Sequence, residues 1–306
     1  MSKTFMDIDT GELIEIESYS TKKQKDGFSK YKKMTEQNKE FVKEYGNFLF
    51  KVKGKQVDKT EDKITNSDIA KLIYVATYLD YDNNLKLDSG KYMDKSDLKE
   101  VVNVNKNIFY KWFNNMEKYK LITILENGNI QLNTKYCLKG ELSKNKDYSR
   151  VFINAIRHIY ECNSNKDVSS LGIIFKILPY ASKENNMLCY NPNCLIEEDI
   201  KLITVGDIAK ETEEYKDNAK KLLMAITKYR MDNGEPILIF LNDLVEYSNA
   251  TIMINPRLTY SGYNFKLKNV YELFKMYGRK YNQQILIKTK SKIKGWNELN
   301  ISNCNG

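Results

Sequence analysis

Residues 105 to 114, NKNIFYKWFN, mix amides and cations in the way that base edges and phosphates require. Helical spacing that turns Ile108, Phe109, Trp112, Phe113 and Met116 inward leaves Asn105, Lys106, Asn107, Tyr110, Lys111 and Asn114 on the free face. Asn can pair with adenine edges and Lys with guanine edges or phosphate, which suits a helix laid in a major groove. The plainer alternative is a solvated face that avoids acid.

A second helix near 215 to 222 offers Lys216, Asn218, Lys220 and Lys221. Beside them lie Glu211, Glu213, Glu214 and Asp217, which would repel phosphates unless they point away or approach cytosine amino groups. A protein or dimer interface is the rival use of that helix. Lys135 and Arg257 complete the candidate DNA contacts, because cations that close hairpins commonly reach flanking phosphates. They hold matching places in NTKYCLKG (133–140) and NPRLTYSG (255–262), one phrase written twice, 122 residues apart. The lysines at 22, 23, 25, 30, 32 and 33 could follow a DNA backbone or merely solubilise the chain.

Other chemistry is poorly served. His158 and Cys162 stand four apart, with Cys189 and Cys194 later, and four such ligands could hold zinc. The loose cysteine spacing and the single histidine argue against it, so no metal site is expected. No GxxxxGK[ST], GxGxxG or HExxH pattern occurs, and one histidine cannot furnish a paired-histidine metal site. The pairs Asp7/Asp9 and Asp80/Asp82 resemble two-metal carboxylates but sit in turn-like stretches that explain them better. The expectation is a protein without enzyme activity or cofactor.

The elements that must position these residues follow from the pattern along 306 residues, 42% of them hydrophobic. That is enough for ordinary cores in two domains. The net charge of +9 is carried almost wholly by Lys and points to a polyanion, although AT-rich coding sequence gives a similar bias. No run of 18 apolar residues and no secretory leader pattern is present, so neither a membrane span nor export is expected. Five scattered cysteines suit reduced thiols in the cytoplasm.

Residues 1–55 read as a basic arm with one short hairpin or helix, and KVKGKQVDKTEDK (51–63) as a polar link. In 66–140 a helix capped by Ser67 precedes an Asp- and Asn-rich loop, two helices joined by a short turn, and a hairpin around Asn127-Gly128. Residues 141–165 read as a connecting helix, and 166–265 repeat the first order with a longer hairpin. The distance from Asp97 to Asn133 is 36 residues, and from its counterpart Asp207 to Asn255 it is 48. Residues 266–306 add an amphipathic helix and a basic tail. The expected fold is mainly α with small β-hairpins (α+β), built as tandem winged helix-turn-helix domains.

LGIIFKILPYASKENNMLCYNP, followed by LITVGDIAK and closed by MINPRLTYSGYN, resembles replication and regulatory proteins of Gram-positive plasmids and phages. These are the RepL-type initiators and MarR-like winged-helix proteins, and DTGELIEIESYSTKKQKDGFSKYKK is similar to their N-terminal stretch. The resemblance covers residues 8 to 36 and 66 to 265. It implies sequence-specific binding of double-stranded DNA at an origin or operator, without intrinsic catalysis. Two departures stand out: many such proteins have a single clear winged helix, and the acidic ETEEYKD sets the second copy apart. The expected function is replication initiation for a plasmid or phage, with a homodimer and host replication proteins as partners. The alternatives are a transcriptional repressor or partition-type DNA adaptor, and a protein-interaction module with little DNA specificity.

Overall fold

A computed structural model describes residues 3–6, 9–16, 21–53, 55–140, 147–163, 168–216, 218–241, 247–262 and 264–292. The chain divides into two units, residues 1–45 and 46–306. In the first, β1 (Lys3–Met6) and β2 (Leu13–Ile16) form an antiparallel hairpin, and α1 (Lys22–Tyr45) follows. Lys22, Lys23, Lys25 and Lys32 are exposed on α1.

The second unit contains the repeat. Its first copy runs through β3 (Phe48–Lys53), α2 (Lys55–Glu61), α3 (Asn66–Ala76), α4 (Lys95–Val102), α5 (Lys106–Lys118), β4 (Ile122–Ile124), β5 (Ile130–Leu132) and β6 (Cys137–Leu138). Its second copy runs through β7 (Asp147–Phe152), α6 (Ile153–Glu161), α7 (Ser169–Ile177), α8 (Val205–Lys210), α9 (Ala219–Ile226), β8 (Leu238–Leu241), β9 (Thr251–Ile254) and β10 (Thr259–Tyr260). The helix α10 (Asn264–Lys292) closes the described chain. It turns Leu267, Val270 and Phe274, at three- and four-residue steps, into the core and packs on β8. The basic tail beyond residue 292 lies outside the described residues.

The two copies are not separate domains strung in tandem. The first and last strands of each meet in one four-stranded antiparallel sheet, in the order β10-β7-β3-β6. Its register is symmetric: Phe50 pairs with Arg150, Phe50 also with Leu138 at the end of its own copy, and Arg150 with Tyr260 at the end of its own. The mainly-α, tandem winged-helix expectation is therefore overturned in favour of a mixed α/β unit organised round a shared sheet. Pattern reading missed the sheet because its edge strands are only two residues long and its central strands pair across about a hundred residues, a separation that no local periodicity reports.

Three local corrections follow. FLFKVK and KQVDKTE, expected in the arm and the polar link, form β3 and α2, and Leu49, Lys51 and Val52 are buried. The supposed connecting helix is half strand: in DYSRVF, Ser149 and Val151 turn inward with period two before α6 begins. The N-cap of α3 is Thr65, whose side chain accepts from the Asp68 N–H, two residues ahead of Ser67. Ser67 instead accepts from Lys71 Nζ at 2.7 Å.

At the centre, α3 is buried from Asp68 to Ala76 and packs against α7. The approach is close: a Cβ on Gly172 would fall 1.7 Å from the Asn66 carbonyl oxygen, so only glycine lets the helices touch. The copies also share a buried device. Asn83 (φ 62°) and Asn186 (φ 59°) both hold the left-handed conformation that asparagine tolerates. Asn83 Nδ2 donates to the Leu132 and Cys137 carbonyls at 3.2 and 2.8 Å. Asn186 Nδ2 donates to those of Ile254 and Thr259 at 2.8 and 2.9 Å. Each asparagine thus ties its loop to the hairpin and to the exit strand of its own copy.

Candidate nucleic-acid interface

The duplicated phrase is first a turn. Asn133 Oδ1 accepts the Lys135 N–H at 2.9 Å, and Asn255 Oδ1 accepts the Arg257 N–H at 3.0 Å. The amides of the same asparagines donate back to the Lys120 and Pro236 carbonyls at 2.8 and 3.0 Å. Asparagine serves here because its carbonyl closes an Asx turn while its amide pins the chain just ahead of the hairpin's first strand. The cations carried by these turns differ in setting. Lys135 is exposed, whereas the Arg257 side chain is 30% exposed and lies 4.0 Å from the Asp232 carboxylate.

The helix pairs match without a gap. Asp94 caps α4 in a capping box with Asp97, and Thr204 caps α8 in a capping box with Asp207, 110 positions after Asp97. The buried steps Phe109, Trp112, Phe113 and Met116 of α5 fall at that same offset against the half-buried Ala219 and the buried Leu222, Leu223 and Ile226 of α9. The extra length between Asp207 and Asn255 therefore lies beyond the helices of the second copy, in the hairpin region.

α5 is fixed from below. Its stripe of Phe109, Trp112, Phe113 and Met116 is buried, and Trp112 Nε1 donates to the Asp68 carbonyl on α3 at 3.2 Å. Between α4 and α5, Asn103 takes a left-handed turn (φ 50°), and Asn105 caps α5 by accepting the Asn107 N–H at 2.9 Å. The carbonyl of Asn105 is thus occupied by the cap. Lys106, Asn107, Tyr110, Lys111 and Asn114 are exposed, so the structure places them together on one outward face. Lys95 of α4 lies with its ammonium 4.0 Å from the Phe113 ring centre and 5.3 Å from that of Tyr110, bracing the near edge of this face.

One residue differs from expectation. Ile108 does not face inward; it is 51% exposed, between Asn107 and the cation Lys111. Hydropathy placed it in the core, but the core stripe is complete without it. The helical angle at position 108 lies outside that stripe.

On the second copy Asn218 is engaged as the N-cap of α9, accepting the Lys221 N–H at 2.9 Å. Lys216, Lys220 and Lys221 are exposed, joined by Met224 and Lys228, which the sequence reading passed over. Stepping of four from Lys220 to Met224 would have revealed the helical part of this stripe, and Lys228 follows just beyond the C-cap Thr227. Lys220 and Lys221 reach the Tyr247 and Tyr215 rings at 5.9 and 5.4 Å. Glu211, Glu213 and Glu214 line a cleft of about 790 Å³ together with Asp62 and Asp207. Glu214 Oε2 accepts the Ser169 hydroxyl there at 2.8 Å. Asp217 lies outside the described residues.

The metal and carboxylate alternatives can be placed as well. The Cys162 sulfur is 3.9 Å from both ring nitrogens of His158 on α6 and its C-cap, and among the described residues no group of three or more His, Cys, Asp or Glu gathers round a point. Asp80 Oδ1 accepts the N–H groups of Asp82 and Asn84 at 3.0 and 2.9 Å, an Asx-type turn. Asp7 is outside the described residues. Among the described residues no helix is long and apolar enough to cross a membrane. The chain matches no protein-family model, and no curated protein or solved structure is significantly similar to it.

Proposed function

We propose that the chain binds double-stranded DNA sequence-specifically, with α5 in the major groove and Lys135 on flanking phosphate. The observation that carries this reading is the exposed face Lys106, Asn107, Tyr110, Lys111 and Asn114, which carries no acid before Glu117 in the last turn and is held by a core that anchors Trp112 to α3. Such a face offers amide pairs for base edges and ammonium groups for phosphates on a rigid support. Lys220 and Lys221 of α9, with Lys216 ahead of it, contribute a second contact, weaker because the exposed acids Glu211, Glu213 and Glu214 stand close by in the chain.

The role follows the resemblance of residues 8 to 36 and 66 to 265: a replication initiator of a plasmid or phage, working in the cytoplasm at an origin, as a homodimer with host replication proteins. An initiator predicts an array of short direct repeats beside its gene, which a repressor or partition adaptor does not need. The deciding experiment is affinity for flanking DNA at fixed salt. Lys106→Ala with Lys111→Ala weakens specific binding more than about tenfold, as loss of phosphate and base contacts should. Unchanged affinity removes the first copy from the interface.

A further inference from the structure

We infer that Ile108 reads the 5-methyl group of a thymine, so that the α5 face selects a site with a T·A pair beneath the first turn of the helix. This rests on the DNA-binding reading above and names the base that the same face prefers.

Ile108 is the third residue of α5, and the first turns of a reading helix are the part that meets base edges. It is 51% exposed while Phe109, Trp112, Phe113 and Met116 fill the inward side, so packing within the chain does not call for an aliphatic residue there. Helix propensity does not call for it either, since a β-branched side chain is a poorer choice on a solvated helix than Lys, Gln or Ala. Its exposed neighbours, Asn107 and Lys111, are suited to hydrogen-bonding edges and phosphates, which an isoleucine cannot serve. The major groove displays one apolar feature, the thymine methyl. An aliphatic side chain set among amides and cations is complementary to that feature and not to the phosphates or the hydrogen-bonding groups of the base edges. The comparison within the chain agrees: at the same offset of 110 the second copy has Asn218, which is engaged as a helix cap. Thymine selection is therefore assigned to the first copy alone.

The test uses the full chain and a duplex that it selects from a random-sequence library, with each thymine in turn replaced by uracil, which removes the methyl and leaves pairing intact. At one position, wild-type affinity falls about fourfold, the effect of losing one buried methyl-sized contact. Ile108→Ala, on an exposed side chain, starts about fourfold weaker and does not respond to uracil at that position. If wild type keeps its affinity through every replacement, the thymine assignment is overturned while DNA binding stands. If uracil weakens Ile108→Ala as much as wild type, another residue reads the methyl and the assignment again fails. If no sequence is enriched and binding stays weak and uniform, both the assignment and the DNA reading are overturned.

Discussion

The first and second copies share a scaffold and differ in what they place on it and beneath it. Both use a capping box at the first helix of the pair, a buried stripe in the second (four residues in α5, three in α9), a left-handed buried asparagine, and an Asx turn at the exit. The first copy presents amides, cations and Ile108, whereas the second presents a Lys and Met stripe with acids lining a cleft nearby. Geometry and surface chemistry have been set separately, which is expected when backbone ties hold the frame and solvent-facing side chains are free of it.

The interiors differ too, and the largest predicted effect lies there. In the first copy Lys51 Nζ meets Glu61 Oε1 at 2.8 Å, fully buried, and the Tyr136 hydroxyl donates to the same oxygen at 2.7 Å. At the matching strand and exit positions the second copy has Val151 and Leu258. Glu61→Ala leaves a buried ammonium without its partner and lowers stability by about 3–5 kcal/mol in denaturant unfolding. Replacing Lys51 and Tyr136 by the second copy's Val and Leu, together with Glu61→Leu, recovers most of that loss. A triple variant as unstable as Glu61→Ala would show that the ion pair does more than fill space.

The same corner carries a pH dependence. Burial pushes the Cys137 thiol up from 9.0 to about 12, and burial followed by the Glu61 charge raises Tyr136 well above the ordinary tyrosine range. The folded state therefore holds protons that the unfolded chain releases, so stability is unaffected below pH 9 and falls as pH rises toward about 12. Cys137→Ala removes the thiol's share, and its unfolding free energy falls less steeply above pH 9 than that of wild type.

Asn83→Ala and Asn186→Ala should be nearly equal, each losing about 1–3 kcal/mol, because both leave two buried carbonyls unpaired at a left-handed residue. A large difference between them would mean that the copies are not equivalent frames. The smallest effect concerns the surface. Lys220→Ala with Lys221→Ala weakens DNA binding by about threefold, less than the corresponding change at Lys106 and Lys111, as loss of two exposed phosphate contacts should. An equal or larger loss would make the second copy the main reader.

Much of this frame was legible along the chain. The repeated phrase, the Asp97 and Asp207 correspondence and the buried steps Phe109, Trp112, Phe113 and Met116 are local patterns, and a helix imposes its period on them within a few turns. Ile108 was misplaced because hydropathy counts a side chain as inward without regard to whether the stripe is already full. Lys51 and Glu61 were passed over because charged residues near a lysine-rich stretch look solvated, and only contact with Tyr136, 75 positions after Glu61, makes them a core.

What the sequence determined by itself is the repeated order of helices and hairpin, the turn at Asn127-Gly128, and which side chains stand on the face of α5. Each depends on neighbours within a few residues, where backbone geometry leaves few choices. Only tertiary structure decided that β3 and β7 pair, that Gly172 lets α7 rest on α3, and that the acids after α8 line a cleft. Those outcomes depend on partners a hundred or more positions apart, and it is burial in the folded chain, not local preference, that selects them.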